Sequence, residues 1–477
     1  MSRINTNVAS LTAQTSLVNS QNALNTSLQR LSTGLRINSG ADDPSGLIAS
    51  EGLKSEIAGI NQAINNSTEA TNVISTADAA LGQVSDLLLD IKGLLVQSAN
   101  TGALTPDQLA ANQLQIDSAV QSITRISNTT TFAGLNLLNG SLNYVTSGVN
   151  NSAIQGLQID QASFGQASTI PVQVNVITSA RPAELQFQAS AITKTTTLNI
   201  AGASGTTTLS FTSGATASSI AFAVNRVSDT TGVTAHLINS ANPNSGIAFA
   251  STGYGSQSFV SISALSGGAF ATEDSKGDQV GRTVGVDAVA TINGALTVGN
   301  GLDLHVDNAS LDLSLTLGKT FGIGKTSFDI TGGGALFQLG SSVQSNEQVD
   351  IGIQSIAASS LGDDETGYLS DLVTGGSATV TNGQAESAEQ IVELAITQVS
   401  NLRGKLGAFE ENTLSTNVNS LNAALENVTS SESTITDADF AAETANLTRA
   451  QILVQAGTSV LATANSTPKD VLSLLQQ

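Results

Sequence analysis

The chain has 477 residues, 40% of them apolar and 12% charged, with a net charge of −21. That length allows several domains, and the apolar content is sufficient for a buried core. The acidic balance argues against a nucleic-acid-binding protein, because a phosphate backbone requires clustered Lys and Arg. Cys is absent, so the sequence offers neither disulfides nor thiolate sites.

Neither a cleaved signal peptide nor a membrane span is expected. The first residues, MSRINTNVASLTAQTSL, lack a continuous apolar stretch followed by a cleavage site. No apolar run approaches the ~20 residues needed to cross a bilayer. If the protein leaves the cell, the sequence predicts export by a route that reads no cleaved signal.

The first part of the chain has helical spacing. A short series of Leu residues ends at the break Gly40–Gly46, where Asp42 and Asp43 are expected to cap the next helix. A longer helix then carries a coiled-coil-like stripe. Its positions are Ile57, Ile60, Ile64, Ser67, Thr71, Ile74, Ala77, Leu81, Val84, Leu88, Ile91 and Leu95.

Helix-start and turn signals follow this stripe. Thr105 is an expected N-cap, with Pro106 in the first helical position and Gln108 completing a capping box. The helix after it presents Leu109, Ile116, Val120 and Ile123 on one face. Residues 132–141, FAGLNLLNGS, predict its end in a turn and a hairpin.

Residues 176–384 change to short alternating runs separated by Gly, which predicts a β-rich region with a few short helices. One such helix is expected over 217–227. Helical spacing returns near the C-terminus, with a predicted break over the Ser-rich residues 430–436 and a last segment from Phe440 to Leu472.

These patterns predict an α + β multidomain protein. Both chain ends form a long antiparallel helical coiled coil or bundle, and the centre is a β-rich insertion. Residues 1–40 with 440–477 form one layer, residues 45–175 with 385–435 a helical bundle with a hairpin, and residues 176–384 an exposed insertion.

The outermost segments, 1–40 and 440–477, interrupt their apolar stripes with Asn, Ser, Thr and Gln. Isolated helices of this kind are marginal in water. We therefore expect them to be disordered in the monomer and to fold only against neighbouring copies.

Catalytic and ligand-binding patterns are absent. His236 and His305 lie in alternating runs without an HExxH motif or a Cys partner. The run Gly322–Ser327, GIGKTS, has Lys319 where a phosphate-binding loop needs Gly, and Gly299–Asp303 resembles a calcium-binding repeat only faintly. The sequence therefore predicts no enzyme, no cofactor and no metal.

Motifs at both ends closely resemble bacterial flagellins. They are LQRLSTGLRINSGADDPSG at 28–46, VQSAN at 96–100, FAGLNLLNG at 132–140, the run from Asn401 to Gly457, and VLSLLQQ at the end. The matching ends cover about half of the chain. Residues 198–237 also resemble a module inserted in many flagellins, whereas the remaining centre resembles the family only loosely.

The resemblance implies the structural subunit of the flagellar filament, a homo-oligomer outside the cell that serves swimming motility. It implies export through the flagellar type III apparatus, a chaperone on the C-terminal segment, and filament cap and hook-junction proteins as partners. Residues 1–40 with 440–477 would form an inner tube and the next layer an outer tube. The implied assembly interface comprises Leu24, Leu28, Arg30, Leu31, Leu35, Arg36, Asn38, Leu94, Gln97, Asn100, Arg403, Leu406, Phe440, Leu447, Arg449, Val454 and Leu461.

One departure from the family concerns the animal innate flagellin receptor. Asp90 stands where the resemblance leads us to expect the family's key arginine, which reverses a charge, although Leu94 and Gln97 match. We therefore expect weak or absent receptor activation. The alternatives are a hook-associated junction protein, which would share the helical ends, and a flagellin whose insert is enzymatic, adhesive or glycosylated.

Overall fold

The computed structural model describes residues 6–474, except residues 166, 243–244, 269 and 309, and it describes no side chains over 468–474. The α-helices are α1 (Val8–Thr33), α2 (Pro44–Ser98), α3 (Pro106–Thr129), α4 (Ala217–Asn225), α5 (Ser228–Thr231), α6 (Ala385–Ala408), α7 (Thr416–Thr436) and α8 (Phe440–Leu474). A π-helical segment, Phe409–Ser415, lies between α6 and α7. Short 3-10 helices cover Ser345–Glu347, Leu369–Leu372 and Val380–Asn382.

The strands lie in the centre of the chain. The first eleven are β1 (Thr131–Phe132), β2 (Leu135–Asn136), β3 (Tyr144–Ser147), β4 (Ile154–Ala162), β5 (Ile170–Thr178), β6 (Pro182–Phe187), β7 (Thr196–Gly202), β8 (Gly205–Phe211), β9 (Val233–Leu237), β10 (Ile247–Tyr254) and β11 (Phe259–Ser266). The others are β12 (Arg282–Val284), β13 (Val289–Ile292), β14 (Ala295–Val298), β15 (Asp303–Asn308), β16 (Leu311–Leu317), β17 (Gly324–Gly333), β18 (Ala335–Gln338), β19 (Gln348–Ile351), β20 (Gly362–Asp363) and β21 (Gly367–Tyr368).

The chain divides into two compact units. The first unit contains residues 1–69, 338–343 and 412–477, and the second contains residues 70–337 and 344–411. Each unit draws on distant parts of the sequence, as expected when the two ends of a chain pack together.

In the first unit, α1 packs along α8. The segment 338–343 is fixed to α2 and α7 by amide side chains: Asn66 Nδ2 donates to the Gln338 carbonyl at 3.1 Å, and Asn417 Nδ2 donates to the Leu339 carbonyl at 2.9 Å. Gly59 permits the close approach of this segment, because a Cβ there would lie 2.6 Å from the Ser341 carbonyl oxygen.

The two acidic residues before α2 have different roles. Asp43 caps the helix as predicted, since its Oδ1 accepts from the Gly46 N–H at 2.9 Å. Asp42 instead closes the preceding turn, where its Oδ2 accepts from the N–H groups of Asn38 and Ser39 and from the Ser39 hydroxyl. These bonds, the Ser39 hydroxyl first, lower the pKa of Asp42.

In the second unit, the predicted stripe of α2 is confirmed. Its positions from Ile74 to Leu95 are buried: Ile74, Ala77, Leu81, Val84, Leu88, Ile91 and Leu95. Helix α6 runs antiparallel beside it, as two ion pairs show: Arg403 Nε lies 2.8 Å from Asp78 Oδ1, and Lys92 Nζ lies 2.7 Å from Glu393 Oε1. The antiparallel helical bundle expected from the two chain ends is therefore present.

Helix α3 begins as the sequence predicts, with the Thr105 cap, Pro106 in the first turn and the reciprocal bond to Gln108. A buried polar group on α3 also holds the loop that returns from the strands. Gln113 Nε2 donates to the Leu372 carbonyl and to Asp117 Oδ1, both at 2.7 Å, and Thr374 Oγ1 donates to Asp117 Oδ2 at 2.6 Å. Every one of these donors has an acceptor, so the group stabilises the loop.

The strands form several small sheets. The larger ones have the orders β14-β13-β5-β17-β3, β12-β11-β7-β8, β15-β16-β4 and β6-β10-β9, and all their pairings are antiparallel. One apolar core lies under β4, β5, β13, β15, β16 and β17. A second lies under β6, β7, β9, β10 and β11, where α4 contributes Ile220 and Val224. The predicted helix over 217–227 is confirmed, ending at Asn225.

Two predicted boundaries are wrong. After the short hairpin of β1 and β2, strands continue from β3 at Tyr144 and not from near 176, and β4 and β5 pair with the later strands β16 and β17. The Ser-rich run 430–436 does not break the helix, because α7 continues to Thr436. There the hydroxyls of Ser431 and Thr434 donate to carbonyls four residues earlier, so these side chains are satisfied inside the helix.

The residues that the sequence analysis weighed as ligand motifs lie on strands and turns. His236 lies on β9 and His305 on β15, while most of GIGKTS belongs to β17. Among the described residues, no group of three His, Cys, Asp or Glu side chains could hold a metal ion. Within the same part of the chain, no helix has the length and apolar character to cross a membrane.

Candidate assembly surface

Helices α1 and α8 meet through small side chains. Ala13 and Ala450 are buried, and a Cβ on Gly457 would lie 3.2 Å from the Leu17 side chain. Small residues let the two helix backbones approach closely, but they bury little apolar area. By the usual scale of about 25 cal/mol per Å², this contact stabilises the pair only modestly.

Polar contacts fix the register of the pair at both of its ends. Asn7 Nδ2 donates to the Ala464 carbonyl at 2.7 Å, and Ser10 Oγ donates to Asn465 Oδ1 at 2.6 Å. At the other end Arg30 Nη1 lies 3.8 Å from Glu443 Oε2, whose residue is buried. An ion pair with a buried partner is sensitive to loss of either member.

The turn after α1 is joined to the turn before α8. The Arg36 N–H donates to the Thr436 carbonyl at 2.6 Å, and its Nη2 donates to the Ile435 carbonyl at 2.5 Å. The Ala438 N–H donates to the Gly34 carbonyl at 2.9 Å, where Gly34 has a φ of 76° and ends α1 in the left-handed region. Arg36 therefore ties the two ends of the chain together.

The pair leaves large apolar side chains uncovered. They are Val8, Leu11, Val18 and Leu28 on α1, and Phe440, Ile452, Leu453 and Val460 on α8. Spacings of three and seven residues place Val8, Leu11 and Val18 on one face. A shallow groove of about 550 Å³ runs between the helices, lined by Ala9, Thr12, Ala13, Ser16, Ser20, Leu453, Ala456, Gly457 and Val460.

A second groove, of about 500 Å³, lies between α2 and α3 in the second unit. It is lined by Leu87, Leu89, Asp90, Gly93, Leu94, Gln115, Ser118, Ala119 and Ser122. The side chain of Asp90 is exposed, so its charge faces any molecule that occupies the groove.

The residues predicted for the assembly interface fall into three groups. Exposed are Leu28, Arg36, Gln97, Asn100, Phe440 and Arg449. Half-buried are Leu24, Arg30, Leu31, Leu35, Asn38, Leu94, Arg403, Leu447, Val454 and Leu461. Leu406 is fully buried.

Two of these residues serve the chain's own packing. Leu406 lies inside the second unit, so its side chain is not available to a neighbouring copy. Arg403 pairs with Asp78 of the same unit, and this carboxylate raises the pKa of the guanidinium. The prediction that Leu406 belongs to the assembly interface is therefore wrong, because this residue lies on the apolar side of α6 that faces the core.

Two sets of residues were not predicted from the sequence: the small residues that line the first groove, and the α3 residues that line the second groove. A signal for the first exists: Ala9, Thr12, Ala13, Ser16 and Ser20 recur at spacings of three and four and form a stripe of small side chains along α1. The second groove required knowing that α3 folds back beside α2.

Comparison with known proteins identifies the family. The model of the bacterial flagellin N-terminal helical region matches residues 4–143, that of the C-terminal helical region matches residues 390–475, and the flagellin hook IN motif matches residues 197–253. A Salmonella typhimurium flagellin is 31% identical over 512 aligned positions that cover 99% of both chains. The B-type flagellin of Pseudomonas aeruginosa is 30% identical with the same coverage.

The chain belongs to the flagellin family. It is a structural subunit of the bacterial flagellar filament, and the hook-associated alternative has no better support. Among solved structures, FliC from Burkholderia pseudomallei aligns with 72% of this chain and 99% of its own, at 15% identity and a TM-score of 0.25.

Proposed function

We propose that this flagellin polymerises through the uncovered faces of α1 and α8. The observation that supports this is the set of large apolar side chains on both helices that the chain itself does not bury. A helical polymer needs contacts that repeat without closing, and a long helix pair can offer different faces to different neighbours. In this proposal α1 and α8 form the inner layer of the filament wall and the bundle of α2, α3 and α6 the next layer.

The same observation supports disorder of the terminal segments before assembly. A helix pair that buries few apolar side chains gains little free energy to offset the entropy of ordering. Amide hydrogen exchange on the monomer tests this. Residues of α1 should exchange rapidly, and strong protection before Gly40 would contradict the proposal.

Substitution of exposed apolar residues on α8 tests the interface directly. Leu453→Asp and Val460→Asp add charges to a face that is exposed in one chain, so the monomer should keep its circular dichroism spectrum. Seeded polymerisation, followed by light scattering and electron microscopy, should be abolished because the charges would be buried between copies.

Leu265→Asp is the matched control, since Leu265 is an exposed Leu on β11 of the second unit. This variant should polymerise like the wild type. Normal filaments from Leu453→Asp and Val460→Asp would reject α8 as an interface.

The export route and the individual binding partners are also proposals. We infer that the chain is secreted unfolded, that a chaperone holds residues 440–477 until export, and that the cap and hook-junction proteins contact the polymer. The absence of Cys and the 3% aromatic content suit a chain threaded through a channel. A chain lacking residues 440–477 should not retain the chaperone in a pull-down, and full retention would contradict this assignment.

We further infer that the protein has no catalytic activity and activates the animal innate receptor weakly. The exposed carboxylate of Asp90 in the second groove supports the latter. Asp90→Arg should raise the response of a receptor reporter cell line to purified monomer, with Asp86→Arg on the same helix as the control. A strong response to the unaltered monomer would refute it.

A further inference from the structure

Part of the outer face of the five-stranded sheet in the second unit is aliphatic. Its inner face is apolar in the ordinary way, with Val172, Val174 and Val176 of β5 buried. On the outer face Leu296 is 66% exposed, Val298 67%, Ile177 47% and Ile323 68%. Large aliphatic residues on the solvent side of several adjacent strands form a patch of the kind that marks interaction sites.

The strand register places these residues in one row. Val298 on β14 is opposite Val289 on β13, and Val289 faces the bulge of β5 at Ile177–Thr178. Gly324 of β17 is opposite Val176, so Ile323, directly before it, lies beside Ile177. We call Val298, Val289, Ile177 and Ile323 the aliphatic row.

A second row lies on the same face, two residues further along each strand. Leu296 is opposite Thr291, Thr291 is opposite Asn175, and Asn175 is opposite Lys325. The eight residues of the two rows include no carboxylate, although the whole chain carries a net charge of −21. Two copies of an acidic protein can therefore approach here with little charge repulsion.

The aliphatic row reads the same in both directions across the sheet, because β14, β13 and β5 each contribute one β-branched residue and the fourth, Ile323, directly precedes β17. A two-fold axis parallel to the strands, between β13 and β5, would lay Val298 of one copy over Ile323 of the other, and Val289 over Ile177. It would also bring Thr291 to Asn175 and Leu296 to the aliphatic stem of Lys325. Such self-complementarity is what an isologous contact requires.

We propose that the aliphatic row is a contact between two copies of this chain that belong to neighbouring filaments. The proposal goes beyond polymerisation through the terminal helices. Subunits along one filament are related by a screw operation, whereas two filaments side by side can be related by a two-fold axis. An isologous patch therefore suits contact between filaments.

The size of the patch makes one such contact weak. Four strands spaced about 4.8 Å apart and about four residues of roughly 3.3 Å give a face of about 19 by 13 Å. That is well under the roughly 800 Å² per partner of a stable dimer. Free chains should therefore stay monomeric, while two filaments that repeat the contact along their length associate through multivalency.

The chain has no Cys, so single Cys variants give a clean cross-linking test. Filaments of Val298→Cys and filaments of Ile323→Cys are polymerised separately, mixed, pelleted together and treated with copper–phenanthroline. Disulfide-linked dimers on a non-reducing gel should form in the mixture and not in either population alone, because the two-fold arrangement brings Val298 to Ile323. The pair Val289→Cys with Ile177→Cys should behave in the same way.

The matched control mixes Phe222→Cys and Leu265→Cys filaments, whose substituted residues on α4 and β11 are 67% and 61% exposed. Equal cross-linking in the control, equal cross-linking within one population, or none in either row pair would overturn the proposal. So would cross-links that appear only after co-polymerisation, since they would place the contact inside one filament.

Charge insertion gives an independent measurement. Ile177→Glu with Val298→Glu should leave filament formation unchanged and should lower the fraction of filaments that pellets at low speed. Pelleting equal to that of unaltered filaments would count against the aliphatic row as a contact.

Discussion

The second half of α2 and the whole of α1 have similar helical patterns but different surroundings. From Ile74 to Leu95 every stripe position of α2 is buried, whereas α1 buries only Ala13 and Ser27 over its 26 residues. The difference shows that periodicity predicts a helix but does not decide how much the helix buries within one chain. The α2 stripe is covered by the subunit itself, whereas α1 leaves Val8, Leu11, Val18 and Leu28 exposed.

The largest expected effect comes from the covered stripe. Leu88→Ala should destabilise the monomer by about 2–5 kcal/mol, because it leaves a cavity in a packed interior. Urea denaturation followed by circular dichroism measures this. Leu89→Ala, at the neighbouring position where the side chain is 55% exposed, should change stability by less than about 0.5 kcal/mol. Equal losses would show that the stripe is not the core.

The next prediction compares a buried polar residue of α3 with an exposed one. Asp117→Ala removes the acceptor of Gln113 and Thr374, so the monomer should lose about 1–3 kcal/mol through unsatisfied donors. Ser118→Ala, on the exposed side of α3, is the control and should be nearly neutral. A neutral Asp117→Ala would mean that the loop over 369–382 is held by its apolar residues alone.

Two Gly→Ala substitutions compare the α1–α8 contact with the packed bundle of the second unit. A Cβ at Gly457 comes within 3.2 Å of Leu17, whereas one at Gly404 on α6 meets nothing within 4 Å. Gly404→Ala should stabilise the monomer by about 0.5–1 kcal/mol through helix propensity. Gly457→Ala should leave monomer stability unchanged and should slow seeded polymerisation. The reverse pattern would place α8 in the stable part of the monomer.

The smallest effect concerns pH. Burial raises the pKa of Asp312, whose Oδ1 has no hydrogen-bond partner, so its ionisation costs stability as the pH rises through that pKa. Asp312→Asn should therefore unfold at a higher temperature than the wild type at pH 7, and the gain should fade below about pH 4.

The pKa of Asp274, in the same unit, is shifted in the opposite direction. Hydrogen bonds from the Asp278 and Lys276 N–H groups lower its pKa, so its charge contributes stability above the unfolded pKa and loses it in acid. Asp274→Asn should accordingly unfold at a lower temperature at pH 7. Shifts of the same sign in both variants would contradict these assignments.

Much of the fold could be predicted from the sequence where a local rule applies. The Thr105 capping box, the α2 stripe and the short helix over 217–225 follow from propensity and spacing within a few residues. The presence of β4 and β5 before residue 176 could not be predicted, because they pair with strands more than 140 residues later, and such pairing leaves no local pattern.

The candidate surface was predictable only in part for the same reason. Leu28, Phe440 and Leu406 all stand in motifs that resemble the family and all have helical spacing, yet the first two are exposed and Leu406 is buried. Spacing identifies the apolar side of a helix but cannot say whether that side meets the same chain or another. The tolerance of Ser431 and Thr434 inside α7 likewise depends on side-chain bonds that composition does not reveal.

The π-helical segment Phe409–Ser415 has a consequence for the history of the sequence. Apolar residues before it are spaced by three and four, but Leu414 follows Phe409 by five and is still fully buried. A wider turn that accommodates one extra residue gives this result. The segment is therefore the place where an ancestral chain could gain or lose a residue without disturbing the apolar side of α7, and alignments of relatives should place a one-residue gap there.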